Sequence, residues 1–429
     1  SFALNIYFNN GSVSAFPFKL TNILIHSLNG LLVFWFLYLG LGRLTVSNER
    51  FANLSSRHVF LLSFGTALLW TVHPIHLTSV LYIVQRMTSL SATFVLLALI
   101  SYITGRTSIL SGKTWRGRIY AAGGTTLFGL MGLFSKENAA LLPIYIVIVE
   151  LTLFSREWPW TRWVHLSRRS QYFAISGLLL VVTVALAYFI NYFYPGYSGR
   201  TFTFTERLLT EPRILLFYLS LILLPRIDAF GIYHDDIAVS GNLLDPWTTL
   251  PSIFAISLLL AIAVLSYKKH KLVSFSILWF FASHLIESTI IALELAHEHR
   301  NYLATIGPVV LIMYLTYLAI LETKRKKLWW VPVLFLILFI TNTSLRAWHW
   351  SDKASLYDFE SRNHPDSARA QASMGSLLAE TGKLEEAKQA FERASTLRPY
   401  DASDLINIRI IQSWQNIKPT EYSRQVTLA

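Results

Sequence analysis

Apolar runs near the ~20 residues that an α-helix needs to cross a hydrocarbon core constrain this chain more than any other feature. "LTNILIHSLNGLLVFWFL" (Leu20 to Leu37) is one, and comparable runs recur along most of the chain. Backbone in lipid has no water to bond, so each run must close its own hydrogen bonds as a helix. The pattern predicts spans over 20–42, 58–74, 79–104, 119–134, 137–154, 171–193, 249–267, 272–292, 302–321 and 328–345, roughly ten in all. A hydrophobic share of 53% against 14% charged residues excludes an ordinary soluble domain of this length. The predicted class is all-α, a polytopic transmembrane bundle over 1–345. Cysteine is absent, which removes disulfides, thiolate metal sites, iron–sulfur clusters and a cysteine nucleophile.

The formal net charge of +12 would fit a nucleic-acid binder, but its placement points elsewhere. Alternate connections are basic: Arg43, Arg50 and Arg57; Arg106, Lys113, Arg116 and Arg118; Arg156, Arg162, Arg168 and Arg169; Lys268, Lys269 and Lys271; then Lys324 to Lys327. The short loops between them carry almost none. The positive-inside rule makes the basic set cytoplasmic, where it also meets anionic headgroups. That accounts for the charge without nucleic acid. It also places 194–248 outside, because "RILLFYLSLILLP" (Arg213 to Pro225) has an apolar part of only about 11 residues, the length of a re-entrant or interfacial segment. Trp70, Trp160, Trp163, Trp329 and Trp330 near span ends fit interfacial belts. Gly123, Gly124 and Gly132 lie in one span, where small residues permit close helix approach.

After Leu345 the composition turns soluble. "ARAQASMGSLLAETGKLEEAKQAFERASTLRPYD" sets Ala372, Gly375, Leu378, Gly382, Ala387, Phe391, Ala394 and Pro399 at tetratricopeptide spacing, a helix pair of about 34 residues. The stretch before it reads as a degenerate first unit, and "DASDLINIRIIQSWQNI" starts another helix. One repeat buries its own core poorly, so 346–429 either continues into more repeats or docks on the membrane domain. By parity these repeats lie outside the cytoplasm.

Unusual polar residues gather at the predicted outer span ends. "HPIH" carries His73 and His76, read either as a proline-started turn or as donors facing a cavity. Arg86 follows inside a span, where a lipid-facing charge costs about 2.5–3.5 kcal/mol, so it should face the bundle interior or a wet cavity. In "FSKENAALLP", Ser135 is a candidate N-cap and Glu137 suits the helix dipole. Lys136 sits where free N–H groups could bind phosphate. "ESTIIALELAHEHRNYL" is the densest cluster, with Glu287, Glu294, His297, Glu298, His299 and Arg300. An extended backbone there would send His297 and His299 one way and Glu298 and Arg300 the other. Such groups could hold a divalent cation or a phosphate, with Arg300 suited to bidentate contact, or form a solvated loop with a local salt bridge. "IYHDD" adds His234, Asp235 and Asp236, either a hard-cation site or a polar turn.

Taken in order, "SFALN…FPFKLTNILIHSLNGLLVFWFL", "ALLWTVHPIHLTSVLYIVQR", "LFSKENAALLP" and "AHEHRNYL", followed by a tetratricopeptide repeat, resemble the transmembrane-and-tetratricopeptide O-mannosyltransferase-like family. That family belongs to the lipid-phosphosugar-dependent glycosyltransferases of GT-C fold. The resemblance implies a polyprenyl-phosphate-linked sugar donor, a Ser/Thr acceptor on an exported protein, and repeats that help present it. It also implies that a first span and a first outer loop, holding the main catalytic base, precede Ser1. Matched positions are His73, His76, Arg86, Lys136, Glu137, Glu298, His299 and Arg300. Arg86, Lys136 and Arg300 are expected at the donor phosphate, and Glu298 and Glu137 as catalytic carboxylates. His73, His76, His297, His299 and Glu294 are expected to line the site, and His299, Glu298, Asp235 and Asp236 are candidate ligands for Mg²⁺ or Mn²⁺. One departure stands out. Where the family commonly has an acid beside the arginine, this chain reads "QRMTSL", so Glu137 or Glu298 compensates or the donor and metal requirements differ. The expected setting is a bacterial inner membrane with repeats in the periplasm, or an endoplasmic reticulum membrane with repeats in the lumen. Two rivals remain, a glycan- or lipid-modifying enzyme of the same fold and a non-catalytic scaffold for an envelope or pilus complex.

Overall fold

The computed structural model describes residues 2–11, 13–47, 54–154 and 194–415. Every regular element among them is helical. The span expected at 171–193 lies outside the described residues, as do Arg50, Arg156, Arg162, Arg168, Arg169, Trp160 and Trp163. The chain divides into two compact units. The first comprises the described parts of Ser1–Pro225, Val239–Leu293 and Glu298–Thr343, and the second Arg226–Ala238, Glu294–His297 and the described part of Ser344–Ala429. The composition shift after Leu345 lies two residues past the 343/344 break. It gives no sign that 226–238 and 294–297 belong with the second unit.

The first unit contains α1 (Phe2–Phe8), α2 (Ala15–Ser47), α3 (Ser56–Thr71), α4 (Leu77–Leu81), α5 (Arg86–Leu110), α6 (Thr114–Arg118), α7 (Thr125–Leu133), α8 (Leu142–Leu153), α9 (Phe204–Leu223), α10 (Thr249–Ser266), α11 (Lys271–Ser283), α12 (Asn301–Ala304) and α13 (Ile306–Thr323), and α14 (Trp330–His349) runs across the 343/344 boundary. Among the described residues, five helical stretches are long and apolar enough to cross a membrane: 15–46, 83–110, 249–266, 306–323 and 326–349. A sixth counts if α3 and the 74–81 helix form one span, bent by 50°. The bend has a local cause: Pro74 offers no N–H and bars the residue before it from helical backbone, so His73 is extended and a new turn starts.

Two expected spans are shorter than the sequence implies. The helix of the 272–292 run stops at Ser283, and the 119–134 run is a π-helical turn (Ile119–Gly124) followed by nine residues of α-helix. Conversely, α9 is longer than the short apolar stretch predicts, 20 residues opened by a Thr203/Glu206 capping box. Its first half carries Glu206, Arg207, Glu211 and Arg213, and it is not among the five apolar spans.

Close packing and polar ties join the helices of the bundle; between helices in lipid each such tie is worth about 0.6–2 kcal/mol. Phe36, Tyr145 and Trp279 form a buried aromatic stack, Tyr145 and Trp279 with centroids 4.5 Å apart. Asn29 bonds the Ser89 carbonyl at 2.8 Å and the Tyr302 hydroxyl at 3.0 Å, and receives Thr93 at 2.7 Å, joining α2, α5 and α12. His26 Nε2–H donates to Thr71 O, so Nδ1 accepts from Tyr302 at 2.7 Å. Trp70, expected in an interfacial belt, is instead fully buried and donates to Tyr302 O at 2.9 Å. Trp330 is exposed, as a belt residue would be. Gly132 packs where a Cβ would lie 2.9 Å from Ala139, whereas Gly123 meets nothing.

The second unit contains α15 (Lys353–Asn363), α16 (Ala368–Glu380), α17 (Leu384–Leu397) and α18 (Ser403–Gln415). Asp352 and Ser367 cap α15 and α16 by accepting from the N–H three residues on. Gly382 adopts φ +78° between α16 and α17, where Lys383 N bonds Leu378 O and Gly382 N bonds Ala379 O, a Schellman stop. Leu378, Ala387, Phe391 and Ile411 form the core, with the Phe391 ring against bare Gly375.

Candidate functional site

Sequence-distant motifs meet at one end of the first unit. The 74–76 turn packs against the 298–300 turn, which brings "HPIH" to "HEHR". A narrow cleft there is lined by Thr88, Lys136, Asn138, Tyr145, His299 and Arg300, among others. The cleft has a volume of about 20 Å³, room for about one water.

Lys136 and Arg300 line this cleft, and both are buried. Lys136 Nζ pairs with Glu287 Oε1 at 2.8 Å and donates to Thr88 Oγ1 at 3.3 Å, while Asn138 donates to the other Glu287 oxygen at 2.7 Å. Glu298 is buried on the same 3₁₀ turn as Arg300, and His299 is half-buried. The turn replaces the extended strand expected there, yet burial still alternates, with Glu298 and Arg300 inward.

Arg86 does not line this cleft. Its guanidinium is spent on Asn22 Oδ1 at 2.6 Å, Phe18 O at 3.0 Å and Asn5 Oδ1, and it lies over the Phe2 ring. The expectation that it faces the interior holds, but its partners are neutral groups tying α1 and α2 to α5. Glu137 is exposed, while Lys136, which stands at the N-cap of the 137–141 turn in place of Ser135, is buried against Glu287. Ser135 Oγ bonds Met131 O instead. His73 is occupied at both ring nitrogens, by Ile222 O at 2.9 Å and Ile75 N at 3.1 Å. His76 is buried among Trp70, Tyr302, His26 and His73 rings.

Two residues at this end were not singled out from the sequence. Arg207 pairs with Glu211 at 2.7 Å, and its guanidinium also takes the carbonyls of Glu287 at 2.7 Å, Thr289 at 2.9 Å and Leu293 at 2.5 Å. Burial pushes the Glu211 carboxyl up to about 7, against the pull of Arg207 and Arg300. The available signal was a charged pair at i,i+4 on a helix whose other half is apolar.

In the second unit, Glu294 pairs with His297 at 2.8 Å and takes both Nη atoms of Arg369, at 2.9 and 2.8 Å. The His297 bond, reinforced by Arg369, holds the Glu294 carboxyl well below the usual carboxylate range. Asp235 accepts from Ser367 Oγ at 2.5 Å and Arg369 N at 3.2 Å, fastening the start of α16. Asp236 faces His364 instead, at 2.8 Å. Among the described residues, three ligand atoms converge at His234, Asp236 and His364, not at Glu298 and His299. Of the four candidate Mg²⁺ or Mn²⁺ ligands, only Asp236 belongs to such a group among the described residues. Asp235 is already committed, and Glu298 and His299 have no third ligand atom grouped with them among the described residues.

Compared with protein-family models, curated proteins and solved structures, the chain gives no match.

Proposed function

We propose that this chain is a membrane glycosyltransferase that moves a sugar from a polyprenyl-phosphate-linked donor to a Ser/Thr hydroxyl of an exported protein. The observation that carries the reading is the convergence of Lys136 and Arg300, brought from distant parts of the sequence onto one cleft with Arg207, Glu211 and Glu298 at the same end of the unit. Cations held in a low-dielectric cleft stabilise charge developing on a leaving phosphate. The acceptor oxygen bonds to the anomeric carbon as the bond from that carbon to the phosphate oxygen breaks. The hydroxyl proton passes to a carboxylate, and polyprenyl phosphate leaves. Glu298, on the Arg300 turn, and Glu211, with its carboxyl raised to about 7, are the two candidate bases; a value near the working pH suits that role. No step is routed through a metal. The cleft has to open to admit a sugar phosphate, since at about 20 Å³ it holds about one water. We place the cleft on the outward face, with tetratricopeptide repeats presenting the acceptor in the periplasm.

A scaffold reading is favoured by one specific observation: Lys136 and Arg207 are each already paired with a carboxylate. The experiment that separates the two uses full chain in nanodiscs with radiolabelled polyprenyl-phosphate mannose. Release of polyprenyl phosphate, by transfer or slow hydrolysis, supports the enzyme if E211Q or E298Q abolishes it. Turnover unaffected by both variants removes the proposed bases. No turnover by folded wild type supports the scaffold.

A further inference from the structure

The segment 226–238 and the end of α15 form a second polar centre, independent of the glycosyltransferase reading. His364 follows α15, and its Nε2 lies 3.2 Å from Phe230 O. A carbonyl only accepts, so the ring proton sits on Nε2. Nδ1 then presents its lone pair toward Asp236 Oδ2 at 2.8 Å. A lone pair and a carboxylate cannot face each other at that distance without positive charge between them. Either a second proton or a metal ion supplies it. The third group decides which we favour. One ring nitrogen of His234 lies within 4.8 Å of both Asp236 and His364 ligand atoms, and the His234 ring stands edge-on to His364, with centroids 5.7 Å apart. A single proton has no use for a third ligand, whereas a divalent ion does.

We propose that His234, Asp236 Oδ2 and His364 Nδ1 bind a divalent ion of the zinc class, clipping the 226–238 segment to the end of α15. Tetrahedral ligands at about 2.0–2.1 Å from a metal stand about 3.4 Å apart, so the Asp236–His364 gap opens slightly and His234 closes by up to about 1.4 Å. Two imidazoles and one carboxylate select zinc, cobalt or nickel over magnesium or calcium, which prefer all-oxygen sets. The Nε2–H bond to Phe230 O is the outer-shell contact that ligating histidines ordinarily make. His364 and Asp236 lie 128 positions apart, so the clip closes a long loop and should stabilise the unit.

The test uses full chain carrying no polyhistidine tag, stripped with chelator in detergent, then equilibrated with micromolar zinc or cobalt. The expected result is a single equivalent of zinc by elemental analysis and visible cobalt bands of four-coordinate strength. H364Q and H234Q should each weaken binding at least tenfold, and D235N should leave it unchanged. Should a histidine variant fail to fold, D236N and the cobalt spectrum of the wild type decide the matter. Absence of zinc and of cobalt bands in folded wild type overturns the proposal and leaves the second proton. So does binding that survives loss of either histidine or is lost equally in D235N.

Discussion

Replacing Lys136 by methionine tests whether the buried pair at the cleft organises this end of the bundle. Lys136 and Glu287 side chains are 3% and 4% exposed and 2.8 Å apart. At an effective dielectric of about 20, 332/(20 × 2.8) gives an attraction of about 6 kcal/mol before desolvation is subtracted. Net coupling is therefore smaller, but removing one partner strands the other. K136M leaves the Glu287 carboxylate with Asn138 and no adjacent lysine, and the expected cost is about 3–5 kcal/mol. K136M/E287L removes both charges and should recover most of that loss, because a well-packed apolar pair is often no worse than a buried ionic one. The assay is a double-mutant cycle on full chain, unfolded by SDS titration in mixed micelles and followed by tryptophan fluorescence. A K136M cost within about 0.5 kcal/mol of zero would rule out an organising role for the pair, as would a double variant no better than the sum of the singles. The functional half follows: a recovered K136M/E287L protein should still fail to bind polyprenyl phosphate.

Arg86 should behave as structure alone. R86K keeps the charge but loses the fork that reaches Asn22, Asn5 and Phe18 O, so we expect a loss of about 2–3 kcal/mol and faster proteolysis within 2–11, with polyprenyl-phosphate binding within twofold of wild type. Glu294 predicts an acid-side pH dependence. Its carboxyl is depressed by His297 and Arg369, so its contribution is present above the ordinary carboxylate value and is lost as pH falls through and below about 4.5. Thermal unfolding of full chain should therefore decline more steeply below that pH in wild type than in E294Q, and parallel profiles would contradict the assignment.

The existence of most helices was legible because an apolar run in lipid has one solution. Their ends were not. The 272–292 run is apolar enough to continue, but Arg207, far off in sequence, claims the carbonyls of Glu287, Thr289 and Leu293 that a continued helix would have used internally. Residue type showed that Arg86 must face inward, but not that Asn5 and Asn22 would satisfy it. Of the three cations expected around one phosphate, Lys136 and Arg300 line one cleft and Arg86 does not. Arg207 and Glu211 were not legible, because their burial depends on the Glu287, Thr289 and Leu293 carbonyls some eighty positions on. Between two adjacent aspartates, composition could not tell that Asp235 fastens a helix start while Asp236 faces His364. That distinction depends on Ser367 and His364, over a hundred positions away.

In the proposed reaction Lys136 and Arg300 form a phosphate-binding cleft for a polyprenyl carrier. Native mass spectrometry of full chain released from nanodiscs, titrated with polyprenyl monophosphate, tests it most directly. Arg300→Lys keeps the charge while losing bidentate contact, so the account predicts one carrier bound to wild type and to R86K and at least tenfold weaker binding to R300K. Equal binding by wild type and R300K, or none by folded wild type, would contradict it.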